Sequence, residues 1–340
     1  MDQKTNIIDI ANKSGFSITT VSRVINGQAK KYRISSATQE KILAIANELN
    51  YKPNEFARNL RMGHSKTIAL IIPSLRNPFF AEIASIVNQE VKKYDYITLI
   101  GDSNDSIETE AREVSQFSSK NVDGLIIVPC GKDSEHIEQI VKEGIPAVCI
   151  DRYFEGIDIS FVSSDNFDGA YSATEYLIQQ GHRSIACIQG VTYSTPNKLR
   201  VDGFIKAMSD HLIDSYKVTG DDFSEQNGYI ETKILLHQKN RPTAIFALSN
   251  TIAMGCLKAF KEENIKIPND ISLITFDENP YLNYIDPPLT CISQPIDEIC
   301  KIAVKILFSN IINKDNSTNQ VLLKTSLKAK ESVKNIRQDT

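Results

Sequence analysis

The sequence predicts an all-α head of three helices, followed by an α/β body of two doubly wound parallel-sheet lobes. The first sixty residues hold helical patterns without a strand, and from residue 66 short β-branched apolar runs alternate with helical stretches. Continuous apolar strands that alternate with helices are typical of parallel sheets covered on both faces. Roughly 230 residues of this alternation are too many for one sheet, which favours two lobes.

The bulk composition is typical of a soluble globular protein. Of the 340 residues, 41% are hydrophobic and 24% are charged. No apolar run approaches the ~18 residues of a membrane span, and the N-terminus lacks the pattern of a secretory signal. The six cysteines are far apart and several lie inside apolar runs, which predicts buried thiols in a cytoplasmic protein. Because P-loop, HExxH, GxSxG and paired-cysteine motifs are absent, we expect no enzyme, no metal and no cofactor.

Charge is distributed unevenly along the chain. The net charge is −4, yet residues 1–63 carry ten Lys and Arg against five Asp and Glu. The remainder carries 28 Lys and Arg against 37 Asp and Glu. A basic head on an acidic body is typical of a protein whose head contacts nucleic-acid phosphates.

The body is predicted to cross between its lobes more than once. Strands are expected at eight apolar runs: TIALIIP, YITLIG, DGLIIVP, PAVCID, FVSSD, SIACIQG, AIFALS and ISLITFD. A first crossing is placed near 161–165 and a return near 289–295, because a long helix and a last strand near QVLLKTSL follow. Ligands of doubly wound folds bind beyond the carboxyl ends of the strands, so the cleft between the lobes is the expected binding site.

The head carries the start and stop signals of three helices. Asn6 is a predicted N-terminal cap, Gly15 ends the first helix, and Ser17 caps the second. Ser35 or Ser36 is expected to cap an amphipathic third helix.

The first two helices have the spacing of a helix-turn-helix. Ala11 allows a close helix approach, and glycine at the turn allows a positive φ. Val21 and Val24 are expected to pack the second helix onto the first. The side chains that then point outward, where a DNA major groove would lie, are Ile18, Thr19, Ser22, Arg23 and Asn26. Spacing alone also allows a purely structural three-helix cap.

Several segments together resemble the lactose-repressor (LacI/GalR) family of dimeric, ligand-controlled transcription regulators. In the head these segments are IIDIANKSGFSITTVSRVING and SSATQEKILAIANELNYKPNEFARNLR. In the body they are IPSLRNPFFAEI, NVDGLIIVP, SSDNFDGAYSATEYLIQQGHRSIACIQG, RPTAIFALSN, IPNDISLITFD and PPLTCISQP. They occur in family order along essentially the whole chain, so the resemblance implies a DNA-binding head and a periplasmic-binding-protein-like body.

The resemblance implies which head residues contact DNA. Ile18, Thr19 and Arg23 match the positions that read bases. Arginine suits guanine O6 and N7, and isoleucine suits a thymine methyl group. The positions that match contacts with the phosphate backbone are Ser17, Thr20, Ser22 and Asn26.

The resemblance also implies a hinge helix between head and body. In the family this segment orders on DNA and inserts a leucine into the minor groove, and Ala57 and Leu60 match the contacting positions. An ordinary linker is the alternative interpretation. The loop GQAKKYRIS departs from the family because it is about three residues longer and carries Lys30, Lys31 and Arg33. These cations either contact the DNA backbone or are solvated surface charges.

The matching effector positions lie on loops at strand ends of the body. They are Phe79, Phe80, Asp151, Arg152, Arg200, Phe223, Ser249, Asn250 and Asp277. Arg and Asp suit sugar hydroxyls and Phe suits apolar sugar faces, so a sugar effector is expected. Ser249 and Asn250 stand where the family often has Asn-Asp, which leaves the effector's identity open. Alternatively, Asp277 caps a turn and Phe79 belongs to the core.

The expected function is repression of a carbohydrate-utilisation operon by a cytoplasmic homodimer that binds pseudopalindromic operator DNA. A corepressor-dependent regulator that responds to a nucleobase or a sugar phosphate is the alternative. A sugar-binding transport protein and an enzyme that uses the same cleft are disfavoured by the basic head and the missing catalytic motifs. The chain is expected to divide into a DNA-binding domain at 1–52, a hinge and linker at 53–65, and a two-lobed domain at 66–340. Within the last of these, lobe 1 is expected at about 66–162 and 293–320, and lobe 2 at about 163–292 and 321–332.

Overall fold

A computed structural model describes residues 5–51, 64–314 and 317–337 of the chain. The chain divides into two compact units between Ser65 and Lys66, which are the head and the body. Ala57 and Leu60, the predicted minor-groove residues, lie outside the described residues.

Three helices form the described part of the head. They are α1 (Ile7–Ser14), α2 (Ile18–Ile25) and α3 (Ser36–Glu48). The side chain of Asn6 accepts hydrogen bonds from the backbone at the start of α1, where Asp9 completes a capping box. The Ser17 and Ser35 hydroxyls cap α2 and α3 by accepting a hydrogen bond from the Thr20 and Thr38 amides. These short polar side chains satisfy backbone N–H groups that a helix start leaves without partners.

The head folds around a small apolar core between the three helices. Val21 and Val24 of α2 pack against Ile10 and Ala11 of α1, and α3 contributes Ile42. Gly15 has a φ of 76°, so the turn between α1 and α2 uses the left-handed backbone that glycine adopts without strain. This packing directs the opposite face of α2 to solvent.

Twelve strands and eight α-helices make up the described part of the body. The strands are β1 (Thr67–Ile72), β2 (Ile97–Asp102), β3 (Gly124–Ile127), β4 (Ala147–Ile150), β5 (Ser160–Ser164), β6 (Ile185–Ile188), β7 (Tyr216–Thr219), β8 (Ala244–Ala247), β9 (Ser272–Phe276), β10 (Thr290–Ser293), β11 (Gln320–Leu323) and β12 (Ser326–Lys328). The helices are α4 (Pro78–Lys92), α5 (Ile107–Ser119), α6 (Glu135–Lys142), α7 (Asn166–Gln179), α8 (Thr195–Asp210), α9 (Glu225–Leu236), α10 (Asn250–Glu262) and α11 (Ile296–Asn313). None of them combines the length and apolar composition that a bilayer crossing requires.

Each lobe is a six-stranded sheet with helices on both faces. Lobe 1 has the strand order β11-β5-β4-β3-β1-β2 and is entirely parallel. Lobe 2 has the order β12-β10-β9-β8-β6-β7, in which only β12 is antiparallel. The central strands β1, β3, β4 and β9 are buried along their full length, as parallel strands covered on both faces must be.

The chain crosses between the lobes three times, and the last crossing differs from the expected one. The first two lie at Asp165 and at Gln294–Pro295, within the segments predicted for them. The segment QVLLKTSL, expected to be one strand with the lobe boundary at 320/321, is two strands. Its first half, β11, pairs with β5 in lobe 1, whereas β12 pairs with β10 in lobe 2. The boundary therefore lies at Lys324–Thr325.

Candidate DNA-reading face and effector pocket

The predicted base-reading residues share the solvent face of α2. Ile18 is 48% exposed, so its apolar side chain is available to a partner. Thr19 is exposed beside it, and Arg23 lies half-buried one turn further along. An apolar side chain, a hydroxyl with a methyl group and a guanidinium on one face suit the mixed donors, acceptors and methyl groups of a major groove.

The four predicted phosphate-contacting residues have different local roles. The Ser17 hydroxyl accepts a hydrogen bond from the Thr20 amide at 3.1 Å, and the two hydroxyls lie 2.9 Å apart. The side-chain amide of Asn26 donates to the Ser22 carbonyl at 2.7 Å and to its hydroxyl at 3.2 Å. Asn26 thus uses its donor group to close the end of α2, so a phosphate contact would require this group to be released.

The predicted effector residues converge at the carboxyl ends of strands from both lobes. Asp151 follows β4 in lobe 1, and Ser249 and Asp277 follow β8 and β9 in lobe 2. The pocket between them is lined by Asn77, Phe79, Phe80, Asp151, Arg152, Pro196, Arg200, Phe223, Ser249 and Asp277. Asn250 does not line the pocket, although its side chain is buried next to Ser249. Eight of the nine predicted positions therefore meet in one place.

Arg200 is fixed on the lobe 2 side of the pocket. Its Nε donates to Asn166 Oδ1 at 2.8 Å, and one terminal nitrogen donates to the Leu248 carbonyl at 2.7 Å. The other terminal nitrogen lies 3.9 Å from Asp277 Oδ1. The guanidinium also stacks on the Phe276 ring, 3.7 Å from its centroid. Because so many contacts fix a side chain that is 3% exposed, Arg200 is preorganised for a ligand.

Arg152 is fixed from the lobe 1 side. One terminal nitrogen donates to Asp105 Oδ1 at 2.7 Å. The guanidinium lies 5.7 Å from the Phe80 ring centroid and 5.8 Å from that of Phe223, which belongs to lobe 2. Burial alone would lower the pKa of Arg152, but the carboxylates of Asp105 and Asp151 raise it above its ordinary value. Arg152 is therefore a firmly charged donor.

The two carboxylates of the pocket are hard to ionise. Burial raises the pKa of Asp151 to about 6, although Arg200 and Arg152 oppose the shift. Burial likewise raises the pKa of Asp277, opposed by Arg200, by the Gln294 side chain and by the Asn250 backbone. Both aspartates have positive φ values, 63° and 72°, a strained backbone that is concentrated at functional sites in proteins.

Several buried polar atoms around the pocket have no hydrogen-bond partner within the described part of the body. They are Asp151 Oδ1, both side-chain polar atoms of Asn250, and Gln294 Oε1. Buried polar groups are nearly always paired, and of these atoms only Asp151 Oδ1 belongs to a residue that lines the pocket, so it is the candidate contact for a polar ligand.

Aromatic rings supply the apolar part of the pocket. Phe79 packs in the lobe 1 core and also lines the pocket. It therefore combines the core position and the pocket position that the sequence had left as alternatives. Phe223 lies against Gly190, where an added Cβ would come within 2.3 Å of the ring. The missing side chain of Gly190 therefore makes room for Phe223. The arrangement offers flat apolar faces beside charged groups, which suits the C–H faces and hydroxyls of a sugar.

Comparison with known proteins agrees with both units of the chain. Residues 6–54 match the bacterial regulatory proteins of the lacI family, and residues 174–333 match a periplasmic binding protein-like domain. The ribose operon repressor of Haemophilus influenzae is 31% identical over 331 residues, which cover 97% of this chain and 98% of that protein. The chain belongs to the LacI family.

Two further comparisons extend the LacI-family likeness along the whole chain. The HTH-type transcriptional repressor PurR of Escherichia coli is 34% identical over 333 residues, 96% of each chain. The crystal structure of the lac repressor dimer bound to operator and the anti-inducer ONPF superposes with a TM-score of 0.85 at 25% identity, covering 98% of this chain and 100% of that chain. This LacI-family chain is therefore a ligand-controlled transcriptional repressor and not an enzyme.

Five residues that support the pocket of this LacI-family chain were not singled out from the sequence. Asn77 and Pro196 line it directly, whereas Asp105, Asn166 and Gln294 position its charged side chains. Asn77, Asn166 and Gln294 lie inside the motifs RNP, SSDN and ISQP, which carried the family resemblance. The family motifs therefore contained the sequence signal for these three supporting residues.

Replacing Asp151 by asparagine should change how stability depends on pH. The unfolded chain ionises this carboxyl at about 3.8 and the folded chain at about 6, so its contribution to stability is lost as the pH rises between those values. Above pH 6 the ionised group costs about 3 kcal/mol. Urea unfolding should show Asp151→Asn gaining more stability over the native chain at pH 7.5 than at pH 4.5. The exposed Asp214→Asn is the control, and an equal gain at both pH values would contradict the prediction.

Proposed function

We propose that this repressor binds pseudopalindromic operator DNA as a cytoplasmic homodimer and reads bases with Ile18, Thr19 and Arg23. The observation that supports this most strongly is the solvent face of α2, where these three side chains lie together on a helix-turn-helix. Ser17, Thr20 and Ser22 flank them as contacts with the DNA backbone, and Asn26 joins them by releasing its side-chain amide from Ser22. Dimer formation is supported by β2, an edge strand whose Ile97 and Ile100 are 55% and 43% exposed.

We further propose that a small neutral polyol, such as a pentose, binds in the pocket between the lobes and controls operator affinity. The carboxylates of Asp105, Asp151 and Asp277 outnumber the guanidiniums of Arg152 and Arg200. A phosphate group would add negative charge to a site without a positive excess, which argues against a sugar phosphate. The Haemophilus relative is named for a ribose operon, and a carbohydrate-utilisation operon is accordingly the proposed target.

Control by the effector rests on movement of the two lobes. The lobes also contact each other outside the pocket: the Thr195 hydroxyl of lobe 2 donates to the Tyr153 carbonyl of lobe 1 at 2.5 Å, and Lys132 lies 5.4 Å from the Tyr193 ring. A ligand that contacts both lobes changes their relative free energy. By thermodynamic linkage, effector and operator then change each other's affinity by the same factor.

Operator selection from random duplexes, followed by titration with and without ribose, tests the proposal. We expect one pseudopalindromic site and a change in its Kd of about 5- to 150-fold on addition of the effector. Selection of an asymmetric site, or a Kd that no pentose changes, would refute it. The direction of the change distinguishes an inducer from a corepressor.

Replacing Arg23 by alanine should relax the sequence preference at one base pair of each half-site. A bidentate contact of arginine with guanine contributes about 1–3 kcal/mol of discrimination. Kd values for the selected operator and for duplexes changed at single positions would measure this loss. If Arg23→Ala weakens all duplexes equally and only flattens the salt dependence, then Arg23 contacts a phosphate.

A further inference from the structure

The basic loop between α2 and α3 is an ordered part of the head. Ala29 is buried in the head core, and the Ile34 amide donates to the Ala29 carbonyl at 3.0 Å. At its start the Gln28 amide donates to the Arg23 carbonyl at 2.9 Å, and at its end Gln39 donates to the Ile34 carbonyl at 2.9 Å. The loop is therefore fixed at both ends, and its side chains occupy defined places.

One side chain of this loop stacks on the predicted guanine-reading residue. The Arg23 guanidinium lies 3.7 Å from the centroid of the Tyr32 ring, while Lys31 lies 5.8 Å away from the same ring. Tyr32 is 40% exposed and packs on no other aromatic ring of the described head. Arg23 forms no ion pair with a carboxylate within residues 5–51. The aromatic ring is thus the main side-chain contact that restrains Arg23.

Stacking restrains an arginine without using up its hydrogen-bond donors. The ring contacts the flat face of the guanidinium, whereas the N–H groups point outward in its plane. A long side chain loses rotational freedom when it binds, and restraint in the free protein reduces that loss. A guanidinium already stacked beside the reading face is therefore better prepared to bind one guanine edge than a freely moving one.

We propose that Tyr32 is a positioning residue that holds Arg23 in the orientation required to read its base. The proposal rests on the base-reading role proposed for Arg23. The basic loop was interpreted above either as a contact with the DNA backbone or as a set of solvated charges. The proposal gives it a different function, which is to place an aromatic ring against the side chain that determines specificity.

The test compares Tyr32→Leu, Tyr32→Phe, Arg23→Ala and the double variant Arg23→Ala/Tyr32→Leu in the full chain. Each is titrated at fixed salt against the selected operator duplex and against a duplex changed at the base pair on which Arg23 acts. The ratio of the two Kd values measures preference, and its salt dependence is recorded separately. Lys30→Ala, in the same loop and exposed, is the matched control.

We expect Tyr32→Leu to reduce the preference about 2- to 5-fold, the range of an exposed cation–π contact. Tyr32→Phe should preserve the preference because the ring remains, and Lys30→Ala should leave it unchanged. In the Arg23→Ala background, Tyr32→Leu should have no further effect on preference. A circular dichroism melt of each variant shows whether the head is still folded.

Four results would overturn the proposal. An equal loss of preference in Tyr32→Phe would mean that the hydroxyl contacts DNA directly. A loss that persists in the Arg23→Ala background would mean that Tyr32 acts independently of Arg23. An unchanged or increased preference in Tyr32→Leu would mean that the stack is irrelevant or masks Arg23. If Arg23→Ala itself leaves the preference unchanged, the base-reading role of Arg23 and the positioning role of Tyr32 both fail. If Arg23→Ala reduces the preference but Tyr32→Leu does not, only the positioning role of Tyr32 fails.

Discussion

Replacing Arg200 by methionine is expected to abolish effector binding and to lower the free energy of unfolding by about 3–5 kcal/mol. Methionine keeps most of the side-chain volume but removes the donors to Asn166 and to the Leu248 carbonyl. It also leaves the buried Asp277 without its cationic neighbour. Thermal unfolding with and without ribose measures both effects, because a ligand that binds only the folded chain raises Tm, and by more the tighter it binds.

Lys206→Met on the same helix is the matched control for Arg200→Met. Lys206 is exposed and pairs only with Asp210 at the surface, so its loss should change Tm little and leave the ribose response intact. A normal ribose response in Arg200→Met would show that the effector binds elsewhere. A lost response in both variants would indicate a general defect of α8.

Removal of residues 1–61 should abolish operator binding and leave effector binding and the melting of the body unchanged. The body from Lys66 onward is a compact unit with four apolar cores of its own, whereas the predicted base-reading residues all lie in the head. Electrophoretic mobility at fixed salt and a ribose titration of the truncated chain measure the two activities. Loss of ribose binding on truncation would contradict the assignment of DNA binding to the head and effector binding to the body.

A point variant separates loss of the head from loss of the hinge. Val21→Asp places a charge in the fully buried core of the head and should unfold it while leaving every residue of the hinge present. Operator binding should be lost to the same extent as in the truncated chain. Retained operator binding in Val21→Asp would mean that DNA contacts come from outside the helix-turn-helix.

Local features of the fold followed directly from the sequence. The caps at Asn6 and Ser17, the turn at Gly15 and the inward packing of Val21 and Val24 depend on neighbours within one or two turns. The apolar runs likewise predicted the buried strands β1 and β3, since strands covered on both faces are mostly apolar. Position at a strand end was enough to bring the predicted effector residues together.

Features that depend on distant partners did not follow from the sequence. The short strands β7 and β10 and the division between β11 and β12 are set by their pairing with other strands, and their own residues carry a weak pattern. The supporting roles of Asn166 and Gln294 depend on side chains 34 and 17 residues away. The stack of Tyr32 on Arg23 depends on the backbone conformation of the loop. The sequence showed only that the loop is long and basic.

The three crossings also determine when during synthesis the repressor becomes complete. Lobe 1 buries the apolar face of α11 against its sheet and takes β11 as its edge strand, yet both follow the whole of lobe 2 in the chain. Domains fold from the N-terminus as the ribosome delivers them, so the head folds early and lobe 1 must wait for its last strand. A chain interrupted before residue 320 therefore displays a head without a finished lobe 1, and such fragments should be the preferred targets of quality-control proteases.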